Sequence, residues 1–391
     1  VDLFEAAPFG TDQRGRVVVL TLMFVSVIIG SIPRMGKTFT LRLLLLIAAL
    51  DPRAEVHAYD LKGTGDLDAL APVAHALRAG DDDEDILYAL KDLRDLRSEL
   101  RRRAKVIRSL PKDRCPESKV TPELASDRSL RLHPIVIGAD ECQVWFEHAK
   151  HGGEFEEICT DLVKRGPALG IILILATQRP DSKSLPTGIS ANAGVRICLR
   201  VMGQMENDMV LGTSAYKNGV RATMFALKDK GICYLSGEGE TPRIVAGAYV
   251  DAPTAEVIAL RGRGLRIAAR TLTGYAAGQD LQAERETATV LADILAVLAD
   301  SEDKLHSYVV VERLAQLRPE AYGQWVSQTS DMAPGEAKTA KATALANAIK
   351  PYGVTTVQVN RTGPNGRREN SQGIVRKAIA EALERAHGSQ A

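Results

Sequence analysis

Residues 30–38 read Gly-Ser-Ile-Pro-Arg-Met-Gly-Lys-Thr. The apolar run Val17–Ile29 precedes them and the helix-like stretch Phe39–Leu50 follows. A strand, a tight loop and a helix start, closed by Gly36-Lys37-Thr38, constrain the chain more than any other segment. Such a loop aims backbone N–H groups and a helix N-terminus at a polyphosphate. The residues Ser31, Ile32, Pro33, Arg34, Met35, Gly36, Lys37 and Thr38 are therefore read as a phosphate cradle. Lys37 reaches the outer phosphates, and the Thr38 hydroxyl ligates Mg²⁺. The usual pattern asks for glycine where Ser31 stands, and Gly30 sits one position early. Alone, a Gly-Lys-Thr turn before a helix is a modest signal.

Two further strand tips strengthen it. Ile135–Glu141 is an apolar run ending in Asp140-Glu141. It reads as a buried parallel strand with two carboxylates where ligands bind in open α/β sheets. Asp140 is expected to hold Mg²⁺ and Glu141 to orient and polarise the attacking water. Without the phosphate loop upstream, a strand running into a solvated turn is the better reading. Gly170–Pro180 is another buried strand, ending in Thr177-Gln178-Arg179-Pro180. Gln178, then Thr177, are the candidates for sensing a γ-phosphate. The competing reading is a polar strand cap with Pro180 ending the ladder.

Acidic and basic residues nearly balance, at a net charge of +1, so any nucleic-acid surface must be local. An aromatic content of 5% argues against a stacking platform for single strands. The cysteines Cys115, Cys142, Cys159, Cys198 and Cys233 lack metal-binding spacing. They suit a reducing compartment and argue against a structural zinc site. His148 and His151 beside Glu147 read as an exposed loop before a metal pair. No segment is long enough to span a bilayer. The chain begins at Val1 without methionine, which leaves room for a membrane anchor upstream.

Residues 1–250 alternate strands and helices, the pattern of a parallel, helix-flanked sheet. Asp83–Leu110 reads as a long helix carrying Arg94, Arg97, Arg101, Arg102, Arg103 and Arg108. Such a face is usually solvated, with an intersubunit or DNA-facing surface as the alternative. Residues 251–283 read as a linker containing a helix. In 284–391, three helices precede a β-branched strand and the basic turn Arg361–Arg368. That order fits a winged helix, with Lys338–Ile349 as recognition helix and Arg361, Arg367 and Arg368 on the wing. A small interaction domain with no DNA contact is the rival.

The order of motifs resembles the motor domain of the FtsK/SpoIIIE DNA translocases over roughly residues 10–250. The resemblance rests on Asp60-Leu61-Lys62, Asp140-Glu141, Ala176–Pro180, and Ile189–Asn192 leading to Arg196-Ile197. It is strongest to actinobacterial members, including those of conjugative elements. It implies a RecA-like P-loop fold and a ring, typically a hexamer, that moves double-stranded DNA with ATP and Mg²⁺. It also implies a cytoplasmic motor, in many members tethered to the membrane, serving chromosome segregation or conjugative transfer. A neighbouring subunit would supply an arginine in trans, for which Arg165 and Arg196 are candidates beside surface or sheet-edge roles. The Pro-containing loop Ser31–Met35 departs from the family's Gly-rich one. It also occurs in type VII secretion ATPases, which act on protein cargo and form the alternative.

Overall fold

The computed structural model describes residues 1–278, 290–299, 302–330, 332–362 and 368–388. The chain forms two compact units, Val1–Gln279 and Asp280–Ala391.

Strands of the first unit are β1 (Ala7–Asp12), β2 (Val17–Leu20), β3 (Val27–Gly30), β4 (Glu55–Asp60) and β5 (Ala76–Ala79). They continue as β6 (Ile135–Asp140), β7 (Ile171–Thr177), β8 (Val195–Cys198), β9 (Ile232–Ser236) and β10 (Arg243–Gly247). All join one sheet in the order β2-β1-β10-β9-β8-β3-β7-β6-β4-β5. The run from β8 to β5 is parallel, and β9, β10, β1 and β2 extend it antiparallel. Every residue of β3, β6 and β7 is buried, as continuous apolar runs in a sheet covered on both faces must be.

Helix α1 (Lys37–Ala49) is buried along most of its length and packs on β4 and β6. Gly138 makes that approach possible, because a Cβ there would lie 2.8 Å from the Leu45 side chain. Helix α2 (Asp83–Ser109) starts at Asp82, whose carboxylate accepts the N–H groups of Glu84 and Asp85 at 3.0 Å each. It buries the stripe Ile86, Leu90, Leu93, Leu96 and Leu100. Several of its arginines are used internally. Arg94 pairs with Glu154 and Arg97 with Glu157 on the helix Gly152–Arg165. Arg103 is buried and donates to the carbonyls of Leu169 and Gly170.

The run Val17–Ile29, expected as one strand, is two. β2 lies at the far edge of the sheet and β3 in its middle. The turn between them sends Leu22 and Met23 into the core and leaves Phe24, at φ 70°, exposed.

The helix Ala252–Ala269, read from sequence within a linker, packs on α1. Its buried Arg266 donates to the carbonyls of Ala48, Ala49 and Ala54. This guanidinium serves the C-terminal end of α1, at Ala48 and Ala49, and the Ala54 carbonyl just beyond it, a favourable place for a cation. Burial pulls its pKa down to about 10. Arg266→Ala removes the side-chain donor of the Ala49 and Ala54 carbonyls, while Ala48 keeps the Asp51 N–H. The substitution is expected to lower the unfolding free energy by about 3 kcal/mol, measured by urea unfolding.

The second unit places a helix over 290–297 before β11 (Lys304–His306). Helices Ser307–Leu317, Pro319–Tyr322, Gln324–Ser327 and Pro334–Ile349 follow, then β12 (Val357–Thr362), β13 (Arg368–Val375) and a helix Arg376–Gly388. The strands form an antiparallel sheet in the order β11-β13-β12. Leu291, Ile294, Val310, Leu314, Leu345 and Ile374 lie in its core. Tyr322 donates its hydroxyl to buried Asp293 at 2.7 Å. Arg361 faces Glu369 and Arg368 faces Thr362 in the β12–β13 register, whereas Arg367 lies outside the described residues. Among the described residues, no helix is long and apolar enough to cross a membrane.

Candidate nucleotide site

The C-terminal ends of β3, β7 and β6 are neighbours, so the phosphate loop, the polar tip and the Asp-Glu pair meet. Ser31 is buried and donates its N–H to the Thr177 carbonyl at 3.2 Å. Ile32 donates to the Arg200 carbonyl at 2.8 Å. These bonds anchor the loop to the exits of β7 and β8. They also correct the expectation for Ile32 and Pro33: the first amide is taken and proline has none. The N–H groups a phosphate could take are those of Arg34, Met35, Gly36, Lys37 and Thr38. Gly36 is left-handed at φ 99°, and a Cβ there would crowd the Gly231 backbone at 3.2 Å. Met35 is buried and accepts the Gly231 N–H at 2.8 Å, which ties the loop to the start of β9.

Lys37 is 3% exposed and forms ion pairs with Asp140 and, at 3.0 Å, with Glu141 Oε1. Thr38 donates its hydroxyl to the other Asp140 oxygen. Burial pushes the Asp140 carboxyl above the usual carboxylate range, against the pull of Lys37 and Thr38. Two carboxylates, one ammonium and one hydroxyl thus share a largely buried space that opens on the side of Thr38. Lys37 supplies the positive charge that the two buried carboxylates need.

Glu141 takes a left-handed backbone at φ 57°, uncommon for a residue with a side chain. Such strain persists where the surroundings over-determine it, and it clusters at functional sites. Here Gln143 donates to Glu141 Oε2 at 2.7 Å, and the Gln178 N–H approaches the same oxygen at 3.3 Å. Gln143 in turn accepts the Thr177 hydroxyl at 2.8 Å. The polar tip of β7 therefore orients Glu141 through a glutamine that sequence reasoning missed. No motif marks Gln143, since its role comes from β6 and β7 being adjacent.

A cavity of about 400 Å³ opens beside the loop. Its wall includes Lys37, Thr38, Lys62 and Gln178 at a polar end, and Phe39 with Tyr249 elsewhere. The two rings stack, with centroids 5.1 Å apart, and Arg42 lies 4.7 Å over the Phe39 ring. Lys62 closes the Asp60-Leu61-Lys62 motif noted in the sequence, whereas the sequence does not single out Tyr249. Arg165 and Arg196 do not line this cavity. Arg165 is exposed and pairs with Asp161 one helical turn away. Arg196 is half-buried and donates to the carbonyls of Ser190 and Val210.

No family model matches the chain. The DNA translocase FtsK of Haemophilus influenzae is 32% identical over 121 residues, 31% of this chain and 21% of that protein. The chain thus matches about a fifth of that curated relative's length. Among solved structures, the pCW3 conjugation coupling protein TcpA, in a monomer form with ATPγS, superposes over 65% of this chain and 70% of its own. The TM-score is 0.52 at 19% identity. The cytoplasmic domain of the Thermomonospora curvata type VII secretion ATPase EccC aligns over 66% of this chain and 31% of its own. There the TM-score is 0.50 at 22% identity. In sequence and in fold, the chain resembles the P-loop ATPases of the FtsK/SpoIIIE family.

Proposed function

We propose that the chain is an ATP-hydrolysing motor that moves double-stranded DNA as a ring, typically of six copies. The observation that carries the ATPase reading is the junction of Lys37, Thr38, Asp140 and Glu141 at the ends of α1 and β6. The sequence match to a DNA translocase favours DNA over the protein cargo of a type VII-like motor, to which the Pro-containing loop and fold likeness point.

In this reading the amides of residues 34–38 and Lys37 hold the β- and γ-phosphates. Thr38 and Asp140 hold Mg²⁺, and their adjacent oxygens in a buried acidic site fit such a hard cation. The ion's chemistry there is neutralisation of phosphate charge. Nucleotide entry draws Lys37 from the carboxylates toward the phosphates, which frees Glu141 to accept a proton from the attacking water. Catalysis is then positioning plus electrostatics. Gln178 stands beside the γ-phosphate, and the Phe39–Tyr249 pair offers a surface for the base. A neighbour's arginine would complete the site. Exposed Arg165 stays available for that role, while Arg196 would first have to release two carbonyls. The setting proposed is cytoplasmic, with a membrane tether supplied by a segment outside this sequence.

Gln143→Ala removes the group that couples Thr177 to Glu141. It is expected to lower kcat by about 10-fold or more with little change in ATP affinity, because the loss falls on the orientation of the base. Steady-state ATPase assays paired with nucleotide-binding titrations read this split, and a rise in KM alone would contradict it.

For the second unit, the proposal is a winged helix that touches duplex DNA. Arg361, Arg367 and Arg368 would neutralise phosphates from the wing. Lys338 and Lys341 on the preceding helix are less free than the sequence suggests, whereas Lys350 beside it is exposed. Lys341 pairs with Glu312 at 2.7 Å, and Lys338 lies 4.7 Å over the Tyr308 ring. Replacing the three arginines by alanine in the full chain is expected to weaken duplex binding and flatten the salt slope by up to about 3. Fluorescence anisotropy across a salt series measures both. An unchanged slope would leave the rival reading, a protein-docking domain.

A further inference from the structure

Three histidines converge on one glutamate at the other end of the sheet. Glu55 and His57 open β4, His75 directly precedes β5, and His133 lies just before β6. β4 runs between β6 and β5, so residues at the starts of these parallel strands become neighbours. The nucleotide residues follow β3 and β6, so this cluster faces the opposite edge. The rings and the carboxylate are held close. His57 Nε2 lies 3.0 Å from Glu55 Oε1. His133 Nε2 and His75 Nδ1 lie 3.3 and 3.7 Å from Glu55 Oε2. Among the described residues, Glu55, His57 and His75 are the group whose ligand atoms lie mutually within 4.8 Å.

We propose that Glu55, His57, His75 and His133 bind a divalent transition-metal ion, with zinc the ion that this nitrogen-rich set fits. Donors at 2.0–2.1 Å from a tetrahedral zinc are about 3.3 Å apart; the three imidazole nitrogens lie 3.0, 3.3 and 3.7 Å from the Glu55 oxygens, and His133, outside the mutual 4.8 Å group, would move inward to complete the set. The outer shell is also in place. His57 Nδ1 lies 2.8 Å from Asp92 Oδ2, and the Tyr59 hydroxyl donates to that same oxygen. A carboxylate on the far nitrogen of a ligating histidine fixes its ring and raises its basicity. Both ring nitrogens of His57 face carboxylates, so one position must carry a proton or a cation beyond the neutral ring. Glu55 and Asp92 together bring two negative charges, which a dication cancels when the imidazoles are neutral. Of the guanidiniums nearby, Arg53 is held by Asp51 and Asp2, Arg266 by backbone carbonyls and Arg128 by the Ala269 carbonyl, while Arg131 and Arg270 also line the cavity.

A cavity of about 290 Å³ reaches the cluster, lined in part by Glu55, His75, His133 and Thr273. Thr273 Oγ1 lies 2.9 Å from His75 Nδ1, and Tyr275 donates its N–H to the His75 carbonyl at 2.7 Å. A metal here would fasten the segment after the helix Ala252–Ala269 to the sheet. The role is structural, because four protein donors close the coordination shell.

The test uses the full chain without a histidine tag. The dialysed protein should retain one zinc per chain by elemental analysis. After removal of zinc, cobalt(II) should give the intense visible bands of a tetrahedral site, unchanged by excess Mg²⁺, which prefers oxygen ligands. The double variant His75→Ala/His133→Ala should lose both signals, and Asp92→Asn should weaken zinc by about 10–100-fold. A parent protein with neither bound zinc nor a cobalt spectrum would overturn the proposal, leaving a protonated His57 between two carboxylates. Undiminished zinc in the double variant would place the ion elsewhere and overturn it equally.

Discussion

Lys37→Ala is expected to reduce ATP turnover by at least about 100-fold, and with it every motion that hydrolysis drives. The loss has two parts. The γ-phosphoryl group loses the cation that neutralises its developing charge. The nucleotide-free protein also loses the partner of Asp140 and Glu141, both buried. An uncompensated buried charge costs several kcal/mol, so the variant should be less stable than its parent. The pH dependence has a defined sign. Burial already raises the Asp140 pKa in the folded state, and removing Lys37 raises it further. Between its unfolded and folded values the native state then holds the extra proton, so stability falls as pH rises. The deficit in melting temperature should be largest at neutral pH and shrink as the pH is lowered. A deficit that grows on acidification would contradict the buried pairing. Lys37→Met, which fills the volume without the charge, separates the electrostatic part from a packing defect.

The second large effect is expected of Glu141→Gln. The carboxamide keeps the volume and can still contact Gln143 and the Gln178 amide. It cannot accept a proton from water. Hydrolysis should fall about 100-fold or more while ATP and Mg²⁺ remain bound. Single-turnover hydrolysis beside equilibrium ATP binding distinguishes this from a binding defect. Parent-like turnover would remove Glu141 from the proposed mechanism. Glu141 sits at φ 57°, and Glu141→Gly would relieve that backbone while deleting the acid. A glycine variant that is more stable yet inactive would show that strain is held there for chemistry.

The centre of this fold is legible in the sequence because its physics is local. β3, β6 and β7 are buried on both faces, so each is an uninterrupted apolar run, and each ends abruptly in polar residues. The periphery is less legible. Only Ala7 and Phe9 of β1 are buried, so it shows no long apolar run, and β10 carries Ile244-Val245-Ala246 yet is half-exposed. β5 has four residues. The reverse error joined β2 to β3, because Leu22 and Met23 turn the chain inside the core and look like strand.

The site divides the same way. Lys37, Thr38, Asp140 and Glu141 follow strands or open a helix, and their motifs announce them. Gln143 and the histidine cluster become visible only once the strand order is known, since residues 57, 75 and 133 are far apart in sequence. Ile32 shows the opposite limit. Its place in the loop suggests an amide for phosphate, yet that amide is spent on Arg200.

The central claim, a motor driven along duplex DNA by ATP, is tested most directly by the steady-state ATPase rate with and without duplex DNA across a salt series. Duplex DNA is expected to raise the rate several-fold at low salt. The stimulation should fade as salt rises, because phosphate contacts release counterions, and it should vanish in Glu141→Gln. A parent protein that hydrolyses ATP at one rate whether or not duplex DNA is present, with DNA in saturating excess at low salt, would contradict a DNA translocase and turn the search to protein cargo.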